Sequence, residues 1–152
     1  MLMPEIDINL VVERYRTLLT QDDRKIGKTT MDDGGNLDFV VTIGELSTLF
    51  LFAKKDPEYV RIVLLNFFAL EREDDIVNAL VAMNHVNTMC KVAKVNLTDK
   101  QDNVLACVEY LDHGSSVNKV QLDRYLAMLV NTAREFSKKM LELKSGDEAL
   151  LA

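Results

Sequence analysis

Apolar positions along this chain follow two periods, and the switches between them mark out its elements. From 6 to 20 they fall at Ile8, Val11, Val12, Tyr15, Leu18 and Leu19, the three-and-four spacing that lays one stripe along a helix. Asp7 stands where an N-cap would. From 24 the spacing shortens to two. RKIGKTTM (24–31) predicts a weak strand, LDFVVTI (37–43) alternates Leu37, Phe39, Val41 and Ile43 on one face, and LSTLFLFA (46–53) and YVRIVLLNFF (59–68) follow. Between them DDGGN (32–36), Gly44-Glu45 and KKDPE (54–58) carry turn chemistry.

At 71 the helical period returns. EREDD places acids in a first turn, where the helix dipole favours them. Ile76, Ala79, Leu80, Met83 and Asn87, with Val86 and Cys90 beside them, predict the inward side of a helix that ends near Asn87 or Thr88. KVAKVNL (91–97) and NVLACVEYL (103–111) read as a hairpin around TDKQD, and Asn118 with Gln121 fits a capping box. The helix it opens has a stripe of Leu122, Tyr125, Leu126, Leu129, Ala133, Phe136, Met140 and Leu141. SGDEALLA (145–152) predicts a flexible tail. Strands and helices are segregated, so the expected fold is a single α+β domain over 1–144. It has an antiparallel sheet of five or six strands and three helices in the order α-β-β-β(-β)-α-β-β-α.

Composition narrows the partners. With Lys plus Arg 18 and Asp plus Glu 24 the net charge is −6, which argues against nucleic acid, since phosphate recognition draws on a basic patch. Two cysteines, Cys90 and Cys107, make no disulfide framework. The opening MLMPEID has neither the basic nor the apolar region of a secretory signal. The longest apolar stretch, IVLLNFFAL (62–70), falls far short of the ~20 residues that span a bilayer. The expectation is a cytoplasmic protein with no membrane partner.

Chemistry is sparse. MNHVNTMCKVAKVNL (83–97) gathers Asn84, His85, Asn87 and Cys90, but metal sites announce themselves by close paired spacing. Here the cysteines are 17 apart and the histidines, His85 and His113, 28 apart. A structural reading serves better: Asn87 taking a left-handed conformation or bonding free carbonyls at the helix end, Asn84 reaching the next loop, His85 exposed. Cys107, sharing a strand face with Leu105 and Glu109, reads as a buried inert thiol. DHG (112–114) sets Asp112 beside His113, but neighbours in a turn seldom face each other. DDGGNLD (32–38) lacks the alternating ligands of a calcium loop. No nucleophile, base and orienter assemble, so no catalytic, cofactor-binding or metal residue is assigned and no cofactor is expected. The rival reading is a small enzyme or small-ligand-binding protein with a pocket between sheet and helices, where His85, His113, Cys107 and Glu109 would act.

The strands at 46–53 and 59–68 are apolar on both faces. A helix is ~10 Å wide and strands are ~4.8 Å apart, so three helices cover one face of such a sheet and hardly two. The uncovered remainder would be an interaction surface, for a second copy or a protein client, on Leu49, Leu51, Ile62 and Leu64 and on Val77, Val81 and His85 of the second helix.

The same order of elements, with Asn84 and Asn87 spaced on a helix, Lys94, Val95 and Leu97 on the strand after it, and Glu109-Tyr110 ending the next strand, resembles the YbjN-like family, described as bacterial sensory-transduction regulators. The resemblance covers about residues 5 to 142. It implies a fold similar to type III secretion chaperones, which are small, acidic, usually dimeric α+β proteins that bind an unfolded stretch of a client. It carries no catalytic residues. The strong strand at 59–68 departs from the chaperone pattern. The function it implies is a non-enzymatic, chaperone-like or regulatory protein-binding module acting as a homodimer.

Overall fold

The structure, a computed structural model, describes residues 5–20 and 23–151, without the side chains of 147–151. Residues 1–4, on which the expectation of no secretory signal partly rests, and the last residue of the expected tail lie outside that range. Three α-helices, α1 (Ile8–Leu19), α2 (Glu73–Met89) and α3 (Lys119–Leu151), accompany seven strands: β1 (Arg24–Ile26), β2 (Thr30–Met31), β3 (Leu37–Ile43), β4 (Leu46–Ala53), β5 (Asp56–Ala69), β6 (Lys94–Leu97) and β7 (Asn103–Leu111). The sheet runs β1-β3-β4-β5-β7-β6, with β2 also on β3. The fold is thus α+β with an antiparallel sheet, as expected, but with seven strands rather than five or six. The weak strand at 24–31 is two short ones, because Gly27–Thr29 leave the ladder between them. α3 continues to Leu151 where a tail was expected from 145.

The chain forms two compact units, one comprising residues up to Val63 with Glu109–Arg124, the other Leu64–Val108 with Tyr125 onward. In the first, the alternation of β3 and β4 gives one inward side. Phe39 pairs directly with Phe50 and Leu37 with Phe52, and the rings of Phe39 and Phe50 stack at 5.2 Å. α1 lays Val12, Tyr15 and Leu19 inward, with Tyr15 edge-on to Phe52 at 5.2 Å. The helix begins as its sequence dictates, Asp7 accepting from the Asn9 N–H at 2.9 Å. The 32–36 turn is closed by Asp32, whose Oδ1 accepts from the N–H groups of Gly34 and Asn36, both at 2.9 Å. Gly35 sits there at φ +82°, and a Cβ would fall 2.7 Å from Lys54 Cδ.

A polar knot ties α1 to the segment after β7. Asp112, buried, accepts from Arg14 Nη1 at 2.9 Å, from the Tyr15 hydroxyl at 2.8 Å and from the Val117 N–H at 2.8 Å. Arg14 Nη2 donates to the carbonyls of Ser115 and Val117. Burial, with Tyr110 and Asp112 alongside, pushes the Tyr15 phenol up, so it remains a neutral donor. Asp112 and Arg14 thus each bond several partners besides one another, the condition under which a buried ion pair is tolerated.

In the second unit, α2 buries Ala79, Ala82 and Val86 and packs on β6. α3 buries Leu126, Leu129, Ala133, Phe136 and Met140. The Phe136 ring meets Phe67 at 5.7 Å and Phe68 at 5.5 Å, both edge-on. Consecutive strand residues reach one ring because Asn66 takes φ +45° and breaks the alternation of β5. Asp75 closes the start of α2. Its Oδ2 accepts from the N–H groups of Glu71 and Arg72 at 3.1 and 3.2 Å, and its Oδ1 lies 3.3 Å from Lys144 Nζ. α3 opens with the reciprocal box expected of Asn118 and Gln121: the Gln121 N–H donates to Asn118 Oδ1 and the Asn118 N–H to Gln121 Oε1.

Two stability measurements check these locks. Asp112→Ala strands Arg14 and Tyr15 and is expected to cost about 3–5 kcal/mol in urea unfolding; a loss below ~1 kcal/mol would show that the knot contributes little. For Asp75, burial acts to raise the carboxyl, but the Glu71 N–H, Lys144 and the Arg72 N–H outweigh it, so its folded value lies below 3.8. A depressed carboxylate stabilises above its unfolded value, and that stability is lost as pH falls through the folded one. Asp75→Asn should therefore be less stable than the parent at pH 7, the gap closing as pH falls below the ordinary carboxylate range and through the lowered folded value; a gap that persists unchanged into acid contradicts the assignment.

Candidate functional site

α2 shows solvent a face of unusual character. Val77 is 62% exposed, Leu80 51% and Val81 49%, and Asn84, His85 and Thr88 continue the same side, all exposed. From Ile76 to Cys90 the sequence holds no Asp, Glu, Lys or Arg. The helix turns Val77, Leu80 and Val81 outward while Ala79, Ala82 and Val86 lie inward, unlike a helix whose outer face is shared only with water. Depletion of charge distinguishes the centre of a protein contact from ordinary surface.

Beside this face lies a groove of 390 Å³ bordered by His85, Met89, Met128 and Glu135, with Val86, Cys90, Lys91, Asn131 and Thr132 completing its walls. Met89 is 69% exposed. The loop that follows holds Val92 at φ +70°, a conformation that crowds a β-branched side chain. Val92 is nonetheless half out in solvent.

The helix end is closed from β6. Asn87 Oδ1 accepts from the Val95 N–H at 2.8 Å, and Asn87 Nδ2 donates to the Val95 carbonyl at 3.1 Å. Lys94 Nζ donates to the carbonyls of Asn87 and Cys90 at 2.8 and 3.0 Å. The free carbonyls that Asn87 was expected to bond thus go to Lys94, and Asn87 addresses the strand instead. Asn84, expected to reach the loop, is exposed on the outward face.

The expected contact set divides. Val77, Val81 and His85 share the outward face of α2, and the sequence reading missed Leu80 beside them by assigning it inward. Leu49 and Leu51 are half-buried on the side of β4 away from Phe50 and Phe52. Ile62 and Leu64 are interior, at 0% and 1% exposure, and cannot line a contact surface. Arg61 pairs with Glu109 at 3.2 Å, while the next residue, Tyr110, reaches Tyr15 on α1 at 3.0 Å. Arg61 therefore points away from α1, and Val60 and Ile62 point toward it.

The side chains of the rival enzyme reading have separate surroundings. His113 is 84% exposed, with Nδ1 3.3 Å from Glu58 Oε2. Asp112 turns to Arg14 and Tyr15 and not to His113. Cys107 is buried and in no disulfide. His85 borders the groove, whose walls include none of Cys107, Glu109 and His113. Among the described residues no three His, Cys, Asp or Glu side chains gather as a metal would need, and no helix is long and apolar enough to cross a membrane.

Comparison with protein-family models, with curated proteins and with solved structures gave no match.

Relieving the Val92 backbone should stabilise the protein. Val92→Asn, which tolerates a positive φ, is expected to raise unfolding free energy by about 1 kcal/mol; a decrease in urea midpoint would mean that the valine side chain makes contacts worth more than the strain.

Proposed function

We propose that this chain is a non-enzymatic protein-binding module, chaperone-like or regulatory, that works as a homodimer with the outward face of α2 as its contact. The observation that carries the reading is the uncharged run Ile76–Cys90 with Val77, Leu80 and Val81 half or more exposed on it. A closed pair needs a patch that matches itself under a two-fold axis, and a neutral apolar strip does so without setting like charges together. The run is 15 residues long, or roughly 22 Å by ~10 Å. That is less than the ~800 Å² per partner of a standard interface, so a micromolar rather than nanomolar pair is the expectation. The resemblance to YbjN-like proteins over about residues 5 to 142, and to the secretion-chaperone fold, points the same way, toward a cytoplasmic dimer whose client or signalling partner is another protein. Two cysteines in no disulfide, Cys90 and Cys107, suit a reducing compartment.

Sedimentation velocity at tens of micromolar tests this. The parent chain should run as a dimer. Val81→Glu, which sets a carboxylate into the contact from both copies, should weaken association about 100-fold or more while leaving the circular dichroism unchanged. A parent that is monomeric at about 100 μM, well above a micromolar Kd, or a V81E variant that keeps the parent's mass, removes the reading.

A further inference from the structure

β6 is the last strand of the sheet, and an edge strand normally turns a row of unpaired N–H and C=O groups outward. Lys94 pairs with Cys107, Val95 with Ala106, Asn96 with Leu105 and Leu97 with Val104. In such a ladder alternate residues direct their backbone groups away from the partner strand. Val95 is one of these, and both its outward groups are taken by the Asn87 side chain, at 2.8 and 3.1 Å. A primary amide offers one acceptor and donors in the geometry of a peptide group, so Asn87 occupies the place that a residue of an added strand would fill. The usual guard of an edge is a lysine side chain held out over it. Here Lys94, the only charged residue of β6, is bent back onto the carbonyls of Asn87 and Cys90 and leaves the edge uncharged.

We propose that Asn87 is the guard of this edge, and that without it β6 pairs antiparallel with the β6 of a second copy. The second copy is the fitting occupant because an antiparallel pair of identical strands is related by a two-fold axis and closes on itself. Lys94-Val95-Asn96-Leu97 carries no charge beyond the diverted Lys94 to oppose its own copy. The inference is independent of α2 pairing. If α2 also pairs, two different two-fold contacts on one chain close as a tetramer where their axes intersect at right angles, and otherwise growth continues past the dimer.

The test uses the full chain. Asn87→Ala should sediment at twice the parent's mass or more, whatever the parent's own state. The double variant Asn87→Ala with Val95→Pro, which deletes the N–H that pairing requires, should return to the parent's mass. In the parent, the Val95 amide should exchange with solvent about 100-fold or more slower than an open amide, despite its place on an edge strand. A folded N87A that keeps the parent's mass overturns the proposal, as does extra mass that survives V95P. Rapid exchange at Val95 in the parent overturns it too, and that measurement needs no variant, so it decides even where N87A does not fold.

Discussion

The contact of α2 with the strands beneath it depends on two alanines. Ala79 and Ala82 are fully buried, and residues of that size let a helix axis approach closely, whereas leucines at the same positions would hold it off. Close approach sets the rotation of the helix. With the alanines and Val86 inward, Val77, Leu80 and Val81 have nowhere to go but out. The outward face is therefore a consequence of the core: a helix built with Leu80 inward, as its periodicity first suggests, would need a wider gap and would present alanine to solvent. The chain keeps the tight packing and exposes the large side chains, at a cost of roughly 25 cal/mol for each Å² of apolar surface left in water. A second surface over them recovers that.

Two polar devices fix the backbone around each unit's core, and they share a logic. Asp112 gathers an arginine, a tyrosine and a backbone N–H from segments about a hundred residues apart in sequence or five apart in the same loop. Asn87 gathers both backbone groups of Val95 across a short connection. Each replaces hydrogen bonds that regular structure cannot make at that point, after the end of β7 in one case and along the open side of β6 in the other. Neither leaves a functional group free for chemistry, and neither is near-neutral to remove, because the groups it satisfies stay behind unpaired.

Legibility in the sequence followed the strength of the local pattern. α1 and β3 were readable because inward and outward positions differ in kind: Phe39 and Val41 against Asp38 and Thr42, Tyr15 against Glu13 and Thr17. The Asn118–Gln121 box was readable because capping is decided within four residues. β5 was not, since Val60, Arg61, Ile62 and Val63 offer apolar side chains to both sides, and only its pairing with β7, through Arg61 and Glu109, reveals which side is the core. That is why Ile62 and Leu64 were grouped with Leu49 and Leu51 when their surroundings differ. On α2 hydrophobic residues run almost all the way round, so the side drawn from their periodicity wrongly placed Leu80 inward. The absence of any charge between Ile76 and Cys90 was the readable signal, and it marks the outward side where hydrophobicity alone does not.

The mode of recognition follows from how the edges are finished. Strand addition needs a run of open backbone, and neither outer edge provides one. β1 and β2 are three and two residues long, with a bend between them at Gly27, whose N–H already bonds the Val40 carbonyl at 2.8 Å; β6 has Asn87 across its middle. Edges this short or this occupied supply too few backbone hydrogen bonds to hold an extended peptide. On the reading proposed above, a partner is bound through side chains, and α2 is where uncharged side chains of useful size stand clear of the surface. Such a contact has little directional hydrogen bonding to define it, so its specificity has to come from shape, from the spacing of Val77, Leu80 and Val81 along the helix and from Glu73 and Asp74 at one end of the strip and Lys91 at the other. Those end charges leave the neutral middle free to pair while penalising a partner displaced far enough to bring like charges together, which is the means by which a featureless apolar strip can still choose one register.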